Sequence, residues 1–102
     1  MYKRLWPTEK QRARFSRQVR EKILLRDQGC CYFCGRPSNI IHHIKFRSQG
    51  GRGVETNGVV LFPLCHLKVH RNAKKARELQ RMAEDKAGPD YFKDRYDKEF
   101  PR

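Results

Sequence analysis

Apolar residues recur every fourth position from Phe15 through Val19 to Ile23, the spacing that lines one face of an α-helix. Thr8 followed by Gln11 fits a capping box, and Asp27-Gln28-Gly29 stops the pattern, so one helix is predicted over about residues 8–28. A tight turn at Cys31–Pro37 leads into an extended run, Asn39–Phe46, and Val59–Phe62 reads as a short second strand. Between them lies a long Gly-rich loop, 47–57, of the kind that is functional or disordered in a small domain. Pro63 suits the first turn of a helix carrying Cys65, His66 and His70, which Asn72 caps or interrupts. Ala76, Leu79, Met82, Ala83 and Ala87 then form a narrow apolar stripe that ends at Gly88-Pro89. Phe92, Tyr96 and Phe100, at helical spacing, are expected to anchor a helical C-terminal segment, about 73–100, to the core. There is no internal repeat.

Composition narrows this picture. In 102 residues, 24 Lys and Arg stand against 11 Asp and Glu, a net charge of +13, and Leu, Ile, Val and Phe barely exceed the ~20% below which a charged chain stays disordered. One domain, 1–102, with a thin core is expected. The longest apolar run is far shorter than the ~20 residues of a spanning helix, so no membrane segment is expected. Met1–Pro7 lacks the apolar stretch of a signal peptide, which points to a reducing cytoplasm and to thiols or metal ligands instead of disulfides. Residues 1–30 carry +6, 31–72 carry +5 and 73–102 only +2. The basic face of the first helix is either simply solvated or a surface that tracks phosphates.

All four cysteines and all four histidines fall between positions 30 and 70, which makes a metal site the leading idea. His66 and His70, four apart on a helix, share a face and can share one ligand. His42 and His43 are adjacent, and on a strand they point to opposite sides. That divides labour: one imidazole would bind metal, and the other would stay free as a general base. A Cys2His2 finger built from Cys31, Cys34, His66 and His70 fits the end spacings, but its 31-residue interval far exceeds the ~12–15 expected.

Ile41-His42-His43-Ile44, a Gly-Gly loop, Asn57, a short apolar strand and Cys65-His66-x3-His70 together resemble the HNH endonuclease signature, small phage or bacterial type, over about residues 29–71. The resemblance implies an α+β fold: a ββα-metal core flanked by the basic N-terminal helix and C-terminal helices. It implies a metal-dependent endonuclease that nicks or cuts DNA and leaves 5′-phosphate and 3′-hydroxyl ends. His43 matches the general base, and Asn57 the residue that fixes the loop and the orientation of His43. His42, His66 and His70 match the ligands of a catalytic divalent cation. Imidazoles suit Zn²⁺, Ni²⁺ or Mn²⁺, whereas Mg²⁺ prefers oxygen ligands.

The sequence departs from the family where a second Cys-x2-Cys knuckle would complete a structural zinc site. Cys65 is present but Phe62 stands in place of its partner, so Cys31, Cys34 and Cys65 either hold zinc with Cys30 or water as a fourth ligand, or remain thiols packed beside Phe62. Lys45, Arg47, Arg52, Lys68 and Arg71 flank the motif as expected DNA contacts. Gly50, Gly51 and Gly53 would let backbone approach a phosphate. DNA binding is expected to be salt-sensitive and weakly sequence-specific. The alternative is a non-catalytic nucleic-acid-binding module or accessory factor on the same scaffold. Resemblance alone suggests a bacterial or phage-infected cell and a phage terminase as neighbour.

Overall fold

The computed structural model describes residues 8–100. Thr8 opens α1 (Glu9–Ala13) with the expected capping box: its hydroxyl accepts the Gln11 N–H, and the Gln11 side chain accepts the Thr8 N–H. The single helix expected over 8–28 is in fact two. Arg14 and Ser16 are extended, and the Ser16 hydroxyl accepts the Val19 N–H to start α2 (Arg17–Arg26). In a continuous helix the Arg12 and Ala13 carbonyls would bond the N–H groups four residues on. Instead they accept from the Gly53 N–H at 2.8 Å and from the His43 ring at 2.6 Å. Long-range partners thus outcompete the local ladder.

The two strands are shorter than expected. β1 (Ile41–His43) runs antiparallel to β2 (Gly58–Val60), with Ile41 opposite Val60, His42 opposite Val59 and His43 opposite Gly58. Phe62 leaves the strand to become the N-cap of α3 (Pro63–Arg71), with Pro63 in its first turn. Asn72 both ends α3 and caps α4 (Ala73–Ala87), accepting the Lys74 and Lys75 N–H groups. Gly88, in the left-handed half of φ space, stops α4 as expected. The result is an α+β arrangement in the expected ββα order. Its core joins Ile44, Val59 and Leu61 of the sheet region to Val69 of α3 and to Leu79 and Ala83 of α4. Ala87 of the expected stripe is exposed.

The C-terminal aromatics do not share one helix. Tyr91 is the ring buried in the core, and Phe92 packs beside it ahead of α5 (Arg95–Glu99), which Asp94 and Asp97 open with a capping box. Phe100 is largely exposed. The 47–57 loop is ordered by two 3₁₀ turns, Arg47–Gln49 and Glu55–Asn57. Two of its glycines serve packing: a Cβ on Gly51 would run into the Lys45 carbonyl, and one on Gly53 into the Arg14 carbonyl. Those two positions face protein backbone, so they do not offer the phosphate approach expected of them. No helix among the described residues is long and apolar enough to cross a membrane.

Candidate metal and nuclease site

The sheet register decides where the adjacent histidines go. His42, 2% exposed, points inward beneath α3. There the i, i+4 pair on α3 meets it, with ring centroids 5.2 Å (His66) and 5.5 Å (His70) from that of His42. One ring nitrogen from each of the three lies within 4.8 Å of the other two, and the Nε2 atoms of His66 and His70 are 3.1 Å apart. Phe46 closes one side, stacked on His70 and edge-on to His42.

The His42 Nε2 is buried and has no hydrogen-bond partner among the described residues. A buried polar atom without a partner costs ~1–3 kcal/mol, and a cation shared by three imidazoles would remove that cost. Burial, followed by the neighbouring His66, His70 and His43, pushes the His42 pKa down to about 3. Burial, then His70, lowers that of His66 as well. Neutral imidazoles with free lone pairs are the form a metal requires. The donor set therefore fits a divalent cation of intermediate softness.

His43 faces the other way, towards the α1–α2 junction. A carbonyl can only accept, so the 2.6 Å contact to the Ala13 oxygen places the ring proton on Nε2 and leaves the Nδ1 lone pair open. The Phe15 ring lies against the imidazole at 4.1 Å between centroids. Burial lowers the His43 pKa, the Ala13 bond opposes this, and the Arg47 charge lowers it further. The net direction favours a neutral ring able to take a proton.

Asn57 is fully buried. Its Oδ1 accepts the Lys45 N–H at 2.7 Å, and its Nδ2 donates to the Arg52 carbonyl at 2.9 Å and the Lys45 carbonyl at 3.2 Å. These bonds tie the two ends of the loop together at Lys45 and Arg52. The group that directly holds the His43 ring is the Ala13 carbonyl, which the sequence reading missed. No side-chain signal marks a carbonyl; the nearest hint is Ser16, an N-cap residue within an otherwise helical run.

Cys31, Cys34 and Cys65 converge, with their sulfurs within 4.8 Å of one another. Burial raises the Cys31 pKa, but hydrogen bonding from the backbones of Cys34, Phe62 and Phe33 outweighs it and brings the thiol to about 7. Burial and the two other thiols push Cys65 up to about 11. Cys30 stands apart, its thiol on the Gln28 carbonyl, so it is not the fourth member of the cluster. Phe62 packs against the core beneath the Arg36 guanidinium.

The basic residues divide. Arg47 is exposed beside His43, and the Lys45 ammonium lies over the Phe92 ring. Lys68 and Arg71 line a shallow groove with Leu64, Leu67 and Lys75 on the face of α3 away from the histidines. Arg52 corrects the expectation of a DNA contact. It is 7% exposed and bonded through Nε and Nη2 to Asp97 at 2.8 and 3.1 Å, so its charge is spent inside the fold.

Residues 30–72, a span that takes in both histidine pairs, Asn57 and all four cysteines, match the family model described as HNH endonuclease. No curated protein matches the chain.

Proposed function

From the match of residues 30–72 to the HNH endonuclease family model, we propose that this protein hydrolyses DNA phosphodiester bonds with His43 as general base and His42, His66 and His70 as metal ligands. The observation that supports this best is the division of β1: an orphaned His42 nitrogen faces two further imidazoles, while His43, on the opposite side, keeps Nδ1 free. A pure binding module has no use for that unliganded base.

A bound divalent cation would supply electrostatic stabilisation of the charge that builds on the phosphoryl oxygens and the departing 3′ oxygen. The residues do the rest. His43 Nδ1 takes a proton from water as the water oxygen bonds to phosphorus. The bond from phosphorus to the 3′ oxygen breaks, the leaving oxygen takes a proton from solvent, and 5′-phosphate and 3′-hydroxyl ends result. Arg47 and Lys45 would draw the phosphodiester backbone to this face. The basic face of α3 gives phosphates a second, sequence-independent contact. The three converging thiols would hold a zinc ion through Cys31, Cys34 and Cys65, with water as fourth ligand, as a staple between the Cys31–Pro37 turn and α3.

Plasmid incubation with Mg²⁺, Mn²⁺, Ni²⁺ or Zn²⁺, with and without chelator, tests the reading. Wild type should cleave and His43→Ala should lose at least ~10²-fold in rate, the usual reach of general acid–base catalysis. Equal rates would refute His43 as the base. Salt-sensitive DNA binding with no cleavage under any cation would establish the binding-module alternative.

A further inference from the structure

Asp94 and Asp97 take no part in the proposed hydrolysis, yet both carboxylates are drawn to one guanidinium. Arg12, its side chain 9% exposed, donates from Nε and Nη2 to Asp94 at 2.7 and 3.0 Å and from Nη2 to Asp97 at 2.6 Å, while lying over the Tyr96 ring. Bidentate pairs of this kind are the strong, directional ones. Arg12 is joined by one peptide bond to Ala13, whose carbonyl holds the His43 ring. α1 has only five residues, far below the ~12–15 at which an isolated helix becomes even marginally stable. Its position must therefore come from outside itself.

We propose that α5 is a positioning element for His43: Asp94 and Asp97 clasp Arg12, and through it hold the Ala13 carbonyl that keeps the imidazole proton on Nε2 and Nδ1 turned outward. The residues that orient the ring thus lie more than fifty positions away in sequence and touch neither substrate nor metal. The catalytic consequence rests on the reading of His43 as base; the placement of the ring does not.

The test uses the full chain. In wild type the His43 Nε2–H should give a proton resonance protected from solvent exchange by the Ala13 bond. In the Asp94→Ala/Asp97→Ala variant that protection should fall at least tenfold, and single-turnover cleavage should drop by ~10–100-fold, the cost of a small misplacement of a reacting group. DNA affinity should hold or rise, because two negative charges are gone. Should the double variant fail to fold, Asp94→Asn alone, which weakens the Arg12 pair and leaves the Arg52–Asp97 pair in place, should show the same losses in smaller measure. Ala83→Gly in α4, compared at matched thermal stability, should retain both the protected proton and the rate. Unchanged protection in the folded double variant, or equal loss of it in Ala83→Gly, overturns the proposal. Lost protection with unchanged cleavage supports the clasp and instead overturns the reading of His43 as base.

Discussion

Asn57→Ala should be among the most destabilising single substitutions in this protein. The side chain is fully buried and makes three hydrogen bonds to the backbone of Lys45 and Arg52. Truncation leaves a partly buried N–H and two carbonyls without those partners, at ~1–3 kcal/mol for each group that finds no substitute. Partial relaxation brings the total to about 3 kcal/mol, or roughly 12–24 °C in Tm for a domain of this size. Thermal and urea melts followed by circular dichroism measure it.

The isosteric Asn57→Asp separates hydrogen bonding from shape. An ionised carboxylate would still accept the Lys45 N–H but would set its second oxygen against the two carbonyls, so the folded protein should favour the protonated acid. Its folded pKa would lie above the unfolded value of about 3.9. Relative to wild type, the variant's deficit should therefore be smallest below that value and grow as pH rises through the folded pKa. A loss under 1 kcal/mol for Asn57→Ala, or a deficit in Asn57→Asp independent of pH, would show that the loop does not depend on these bonds.

Further predictions concern the other clusters. Arg52 first, and Arg12 with it, hold the Asp97 carboxyl well below the usual carboxylate range against the effect of burial; the stability this adds is present above about pH 3.9 and is lost as pH falls towards the folded pKa. Acid melts of Asp97→Asn should accordingly show a flatter pH dependence than wild type between about pH 5 and 2. Cobalt titrated into the protein should give a d–d spectrum from the imidazole cluster that His42→Ala abolishes; an unchanged spectrum would remove His42 from the ligand set. Purified protein should carry zinc that Cys31→Ser reduces by one equivalent per chain, and equal zinc content in the two would show the thiols to be unmetallated. Gly53→Ala should cost more than 2 kcal/mol in a urea melt, since its Cβ would meet the Arg14 backbone; a loss below 0.5 kcal/mol would mean that the α1–α2 junction yields easily.

Several features of this protein depend on side-chain identity at short range, and these were legible from sequence. Pro63, Asn72 and Gly88 punctuate α3 and α4 through their own φ preferences and capping chemistry, and Thr8 with Gln11 caps α1. The spacing of His66 and His70 and the adjacency of His42 and His43 sufficed to propose one shared ligand site and one free base. The order of those residues and Asn57 also pointed to the family that residues 30–72 match.

Tertiary structure decided what depends on partners far along the chain. The break at Arg14–Ser16 arises because Gly53 and His43 claim carbonyls that a helix would otherwise use. Arg52 looked like a DNA contact because exposed and buried arginines are identical in sequence; the arrival of Asp97 from α5, with Glu9 of α1 farther off, neutralises it. The group that holds His43 is a backbone oxygen, which carries no residue identity, placed by an ion pair between residues 12 and 94–97. Local chemistry thus nominated candidate reacting groups, whereas their orientation was set by long-range hydrogen bonds that form only once both ends of the domain close around the sheet.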